Sequence, residues 1–276
     1  MAPHTLFDLS GKTAVITGAA GFLGQRHAEA IAAFGGTPIL LDIREDILKK
    51  QMRGLRARFQ IEADYYRADV TDERAVAKAC SSLLKRRGQV DVLINNAAHN
   101  PAVDSSGKVH NALRLEHFPR QAWDQDIAAG LTGAFLCAKH FGQAMASGRG
   151  GSIINISSDL GLIAPDQRLY RKDGVPEGMQ DVKPVTYSVV KTGLIGLTRY
   201  LATYWARQGV RCNALCPGGV RNNQSPRFLA RIKELIPLGR MAEPDELQGA
   251  IVFLASDASA YMTGGVLAID GGRTCW

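Results

Sequence analysis

Apolar positions along the chain fall into short solid runs, separated by longer stretches in which they recur every three or four residues. Solid runs fit strands buried on both faces, and the periodic stretches fit amphipathic helices. On this pattern Lys12–Thr17, Thr37–Asp42, Tyr65–Ala68, Asp91–Asn95, Ser152–Ser157, Val210–Leu215 and Val266–Ile269 are predicted strands. Helices are predicted over Phe22–Phe34, Glu45–Arg58, Asp72–Arg87, Gln121–Met145 and Val185–Arg207. Strand and helix alternate, which predicts an α/β fold with a doubly wound parallel sheet of about seven strands. A polar loop from Asn95 to about Phe118 exceeds the usual length of such a connection. No repeat, low-complexity segment or linker interrupts the pattern, so residues 1–276 are expected to form a single domain.

Composition narrows the class. With 46% hydrophobic and 21% charged residues, the chain has the balance of a globular domain. No apolar run approaches the ~18–20 residues of a membrane span. Met1–Ser10 lacks the basic-then-apolar order of a signal peptide. A cytoplasmic location with no membrane partner is therefore expected. The five cysteines, Cys80, Cys137, Cys212, Cys216 and Cys275, form no CxxC pair, which fits reduced thiols. Cys212 and Cys216 have no nearby histidine, and no metal is expected there. The net charge of +7 favours acidic partners, but no dense Lys/Arg run with interleaved aromatics points to nucleic acid.

Two stretches carry chemistry. In TYSVVK, Tyr187 and Lys191 stand four residues apart, so a helix would place them on one face with Cβ atoms about 5–6 Å apart. An ammonium beside a phenol favours the phenolate and would lower its pKa from ~10, making Tyr187 a usable acid and base. The second stretch is TGAAGFLG, Thr17 to Gly24, between a predicted strand and a predicted helix. In that setting, glycines let a dinucleotide pyrophosphate approach the helix N-terminus. Asp42 closes the second strand, where a carboxylate can accept both ribose hydroxyls and repel a 2′-phosphate.

Together with Asp69-Val70, NNAA at Asn95–Ala98, INISS at Ile154–Ser158, CPGGV at Cys216–Val220, TGG at Thr263–Gly265 and IDGG at Ile269–Gly272, these stretches resemble the short-chain dehydrogenase/reductase family. The resemblance covers nearly the whole chain and implies a Rossmann-type, single-domain oxidoreductase acting on a secondary alcohol or ketone. It implies that Ser158, Tyr187 and Lys191 are catalytic. Ser158 would steady the substrate oxygen, and Lys191 would hold the nicotinamide ribose. For the cofactor it implies Gly18, Ala20, Gly21, Phe22, Leu23 and Gly24 around the pyrophosphate, with Asp42 and Ile43 at the ribose. Asp69 and Val70 would flank the adenine. Asn96, Ala97 and Ala98 would line the cofactor, and Pro217, Gly218, Gly219 and Val220 would cover the nicotinamide. A homodimer or homotetramer is implied too, and Ile127, Leu131, Phe135, Leu194, Leu197 and Leu201 exceed what one sheet face needs. NAD is expected in preference to NADP, because neither Ile43 nor the alanines of the glycine turn bring a cation to Asp42. Arg44, two residues on, is the counter-argument.

Three departures from the family pattern matter. The glycines fall at 18, 21 and 24, and Gly130 occupies the slot where the family carries an asparagine that anchors a proton-relaying water. Either a local kink exposes a carbonyl to that water, or the relay is broken and turnover is slow. Ser158 and Tyr187 are also 29 residues apart, farther than is usual in the family. The extra residues, 164–184, include Arg168, Tyr170, Arg171 and Lys172, and the stretch 221–236 adds Arg221, Arg227, Arg231 and Lys233. With 99–119, these are the expected substrate-lobe insertions. Two cationic segments facing one pocket would take a phosphate or carboxylate on a small-molecule substrate, with Arg168, Tyr170 and Arg221 as contacts. The other reading is that these charges are solvated. His99, His110 and His117 in the long loop could also reach the mouth, and the other reading is that they are inert surface histidines.

Wording such as IAPDQRLY and CPGGVRNNQ is similar to oxidoreductases of flagellin-modification and nonulosonic-acid pathways, implying a sugar, sugar phosphate or nucleotide sugar. A 3-oxoacyl thioester reductase, a polyol dehydrogenase and a non-catalytic dinucleotide-binding regulator stay open.

Overall fold

The computed structural model describes residues 3–99 and 113–276. Seven strands, β1 (Thr13–Thr17), β2 (Thr37–Asp42), β3 (Asp64–Arg67), β4 (Val92–Asn95), β5 (Gly151–Ile156), β6 (Val210–Pro217) and β7 (Val266–Ile269), form one parallel sheet. Their order is β3-β2-β1-β4-β5-β6-β7. All five residues of β1 are buried, as a central strand covered on both faces requires. Successive side chains of β1 supply opposite cores. Ala14 and Ile16 pack with Ile31 of α1 (Phe22–Ala33), Leu48 of α2 (Glu45–Phe59) and Ile251 of the helix Gln248–Ala255. Val15 packs on the other face with Leu83 of α3 (Glu73–Arg87), Phe141 and Leu201.

Local chemistry sets the helix ends. The Asp72 carboxylate caps α3 by accepting from the N–H groups of Arg74 and Ala75, and Gly88 closes it with a left-handed φ of 78°. The predicted helix over Val185–Arg207 stops at Tyr204, because Ala206–Gln208 tightens into a 3-10 turn closed by left-handed Gly209. Helical structure spans 120–146, but two π turns interrupt it, at Ala128–Thr132 and Ala138–Gly142. Each coincides with close packing at a glycine. A Cβ at Gly130 would stand 2.6 Å from Val190 Cγ1, and one at Gly142 would stand 2.5 Å from the Trp205 ring.

Of the apolar residues expected in excess, Leu194 and Leu201 are core, while Ile127, Leu131 and Leu197 are partly buried. Phe135 is exposed, and so are Val189, Tyr200 and Tyr204 of the long helix. No helix of the described residues is long and apolar enough to cross a membrane.

Strand order reverses between β1 and β4, the point at which an open α/β sheet forms a crevice beyond its strand ends. A cleft of about 1540 Å³ opens there. It exceeds the ~300–1,000 Å³ of a drug-sized pocket, which leaves room for two ligands.

Candidate active site

One half of the cleft is built from strand ends and backbone. Thr17 Oγ1 accepts from the N–H groups of Asn96 and Ala97, both at 3.0 Å, and Asn96 Nδ2 donates back to the carbonyls of Thr17 and Gly18. The Asn96 side chain therefore clamps the glycine turn. Gly18 has φ +62°, and a Cβ there would lie 2.7 Å from Ala97 Cα. A Cβ at Gly24 would lie 2.3 Å from the Gly18 carbonyl oxygen, so this glycine lets α1 close onto the turn. Gly18, Gly21, Phe22 and Leu23 line the cleft. Two candidates do not. Gly24 is buried at the helix contact, and Ala20 packs into the core, contributing its N–H to Asp42 Oδ2 at 3.1 Å.

Asp42 is 8% exposed, with Oδ1 accepting from the Arg44 N–H at 3.1 Å and from Arg44 Nε at 3.3 Å. A cation does reach the carboxylate, which adjacency in sequence did not predict. Asp42, Ile43, Asp69, Val70, Asn96, Ala97, Ala98 and the run Pro217 to Val220 all line the cleft. Asp69 is fixed by accepting from Thr71 N–H (2.9 Å) and Thr71 Oγ1 (2.7 Å). These features fit a dinucleotide. The N-terminus of α1 has no side-chain cap, Gly18 and Gly24 have no room for a Cβ, and a carboxylate ends β2.

The other half holds the reactive side chains. Tyr187 and Lys191 lie one turn apart on the helix Val185–Tyr204, and the Lys191 ammonium is 5.7 Å from the Tyr187 ring centre. Lys191 Nζ donates to the Ile156 carbonyl at 2.8 Å. Burial, reinforced by the charge of Lys183, pushes Lys191 down to about 8. Burial also pushes the Tyr187 phenol up, with Ser158 acting in the opposite direction. The lowered phenol expected from the Tyr–Lys spacing is thus outweighed by burial.

Ser158 follows β5, is buried, and donates to Asp159 Oδ1 at 2.7 Å. Asp159 Oδ1 also accepts from the Leu160 N–H (2.8 Å), and its Oδ2 accepts from Arg273 Nη1 (2.7 Å). The Asp159–Arg273 pair is almost fully buried, with side-chain exposures of 4% and 7%.

Both cationic segments reach the cleft, through Arg171, Lys172 and Arg227, but the two arginines expected as substrate contacts do not. Arg168 turns back onto Asp166 and Arg221 onto Glu243; both are exposed and neither lines the cleft. For Arg168 the signal was the acid two residues before it, whereas Glu243 lies 22 residues from Arg221 and gave none. Tyr170 does face the cleft, its ring 5.9 Å from that of Phe228, and burial pushes its phenol up to about 12.

Asp126, Asp159, Lys183 and Arg273 were not singled out from the sequence. His99 is more than a surface residue. Its Nδ1 lies 2.6 Å from Asp126 Oδ1, and Thr186 Oγ1 donates to Asp126 Oδ2 at 2.5 Å. These three side chains, with Gly130, Tyr187 and Lys191, border a cavity of about 20 Å³ behind the tyrosine. That is room for one water, which needs roughly 10–15 Å³ of such volume. His117 is exposed and outside the cleft, whereas His110 lies outside the described residues, as does most of the loop 99–119.

Comparison with known proteins places this geometry. Residues 12–170 match the family model described as short chain dehydrogenase, and residues 174–274 match one described as Enoyl-(Acyl carrier protein) reductase. D-threitol dehydrogenase of Mycolicibacterium smegmatis is 33% identical, over 97% of this chain and 95% of its own length. Trans-4-hydroxycyclohexanecarboxylate dehydrogenase of Sinomonas cyclohexanicum is 36% identical, over 95% of this chain and 93% of its own. The gluconate 5-dehydrogenase of Burkholderia cenocepacia, solved in complex with NADP and tartrate, superposes with a TM-score of 0.84 at 27% identity, covering 98% of both chains. The similarity to flagellin-modification and nonulosonic-acid enzymes has no counterpart among these relatives.

Proposed function

The chain belongs to the short-chain dehydrogenase/reductase family, oxidoreductases of CH–OH groups, and from that premise we propose that it is an NAD-dependent dehydrogenase of a polyhydroxylated or cyclic secondary alcohol. The observation that carries this reading is the convergence of Ser158, Tyr187 and Lys191 on one cleft that also holds the glycine turn and Asp42. A bound nicotinamide would supply the hydride acceptor. Burial keeps Tyr187 a phenol at rest, and it takes the hydroxyl proton as it passes its own to the small cavity behind it, with Ser158 favouring the ionised form. Ser158 gives its hydrogen bond to the substrate oxygen in place of Asp159, whose oxygens keep the Leu160 N–H and Arg273. Lys191, held by the Ile156 carbonyl, stands where it can hold the nicotinamide ribose. The proton leaves Tyr187 through the small cavity closed by Asp126, Thr186 and His99, instead of past an asparagine at 130. Val190 fills the space that a side chain at 130 would need.

NAD is preferred because a 2′-phosphate would set about two negative charges against the buried Asp42 carboxylate. Arg44 is already engaged by that carboxylate. Relatives named for neutral polyols, such as D-threitol, galactitol and glycerol, stand beside relatives named for hydroxy acids, such as trans-4-hydroxycyclohexanecarboxylate and gluconate. Exposed Phe135, Val189, Tyr200 and Tyr204 support a homodimer or homotetramer, which light scattering at micromolar concentration reads directly.

The function is tested by following NADH on mixing the enzyme and NAD with a panel of polyols, sugars, cyclic alcohols and hydroxy acids. Turnover of at least one secondary alcohol is expected. NAD binding with no turnover across the panel favours the regulatory reading instead.

A further inference from the structure

Cations crowd the substrate end of the cleft, and almost all of them are taken. Arg171 is bound by Glu177 (2.9 Å), Lys172 by the buried Asp181 (2.8 Å), Arg227 by Asp173 (2.5 Å) and Arg273 by Asp159 (2.7 Å). Lys191 donates to a carbonyl. Lys183 differs. Its ammonium stands 3.6 Å from the centre of the Tyr187 ring, it lines the cleft, and among the described residues no carboxylate lies within ion-pair distance of it.

The position is built. The Lys183 N–H donates to Gln167 Oε1 at 2.8 Å, Gln167 Nε2 returns to the Lys183 carbonyl at 3.4 Å, and Pro184 follows as the helix cap. Gln180, 8% exposed, ties the rest of the loop through Lys172 and Val175. Asp159 is the nearest acid to act on Lys183, but its oxygens are occupied by Ser158, Leu160 and Arg273. Burial pushes Lys183 down to about 8, so it is charged at neutral pH and short of solvation. A cation left in that state gains from any anion that arrives.

We propose that Lys183 is the receptor for a carboxylate carried by the substrate close to the carbon that is oxidised, so that the preferred substrate is a hydroxy acid. This rests on the reading of Tyr187 as acid/base, because the ammonium over the ring places the anion beside an alcohol bonded to the phenol oxygen. A carboxylate fits better than a phosphate. One free lysine matches one charge, whereas a phosphate dianion would face Asp159 with Arg273 already committed.

The test measures binding by calorimetry to the NADH-bound enzyme. The ligands are glycerate, tartrate and gluconate, their neutral counterparts glycerol, threitol and glucitol, and glycerol 3-phosphate. At least one hydroxy acid should bind at least about tenfold tighter than its neutral counterpart, the range of a hydrogen bond to a charged group. Lys183→Gln should abolish that preference and Lys183→Arg should keep most of it. Equal binding of every pair, binding of none, preference for glycerol 3-phosphate, or a preference surviving in Lys183→Gln overturns the proposal. Tyr187→Phe separates the two readings, since it should lose turnover and keep the preference. Turnover retained in Tyr187→Phe, with the preference lost in Lys183→Gln, sinks the acid/base role and leaves the anion receptor standing.

Discussion

The two halves of the cleft are made in different ways. The nucleotide half is backbone and short side chains fixed by neighbouring strand ends, such as Thr17 against Asn96 and Asp42 against Ala20. The substrate half is a set of charged side chains, each held by its own partner. Asp159 and Arg273, 114 residues apart, pair beneath Ser158, and Lys183 arrives on a loop clamped to Gln167. Geometry in the first half is set by backbone contacts between strand ends and tolerates little change at any one glycine. Geometry in the second depends on single side-chain partners.

The largest stability effect that sharpens this contrast is expected at Arg273. Arg273→Ala leaves the Asp159 carboxylate buried without its partner, which typically costs about 3–5 kcal/mol. Denaturant unfolding should show a loss of that order and a fall in activity, since Ser158 is tied to Asp159. A loss below about 1 kcal/mol, the range of a surface pair, would mean that the site does not depend on this bridge.

Next in size is Gly130→Asn, which restores the family's residue. Its Cβ would stand 2.6 Å from Val190 Cγ1, an overpacking expected to cost about 1–3 kcal/mol. The melting temperature should fall and turnover should not rise. A faster, equally stable variant would show that the proton leaves by the usual route.

These two residues also mark where the sequence was and was not legible. Strands and helices were placed within a residue or two over most of the chain, because periodicity is a local property of the side chains. The π turns were not, since a glycine in sequence does not say which side chain, Val190 or Trp205, will press against it. Tyr187, Lys191, Ser158 and Asp42 were found as motifs with fixed spacing, and all four line the cleft. Arg168 and Arg221 were misplaced because net charge along a segment ignores pairing with acids such as Asp166 and Glu243. Lys183 was missed although it stands four residues before Tyr187. Only the fold shows that it, unlike its neighbours, meets no acid.

A change at Asp42 probes the nucleotide half alone. NADH should bind the native protein at least about tenfold tighter than NADPH, a difference of ~1.4 kcal/mol. Asp42→Ala should narrow that ratio. Tighter NADPH binding by the native protein would assign the 2′-phosphate to Arg44 and leave the ratio nearly unmoved in the variant.

A smaller, graded effect is expected from pH. Lys183 is pushed down to about 8, so it loses its proton earlier than an exposed lysine as pH rises. The charge that binds a hydroxy acid is present below that value and lost above it. The dissociation constant should be flat below about pH 8 and rise up to about tenfold per unit beyond it. Lys183→Arg should flatten the profile, because a guanidinium keeps its charge. An unchanged profile in that variant would assign the titration to another group on the cleft floor, Tyr170, Tyr187 or Lys191.

The central claim is that Tyr187 moves the proton of the reacting alcohol. Its most direct test is kcat for Tyr187→Phe, measured with a substrate found in the panel and with NADH binding checked in the same preparation. The account predicts that the variant still binds NADH while kcat falls about 10²–10⁴-fold, the usual contribution of a general acid–base group. A variant that binds NADH and keeps more than about a tenth of the native kcat would contradict it.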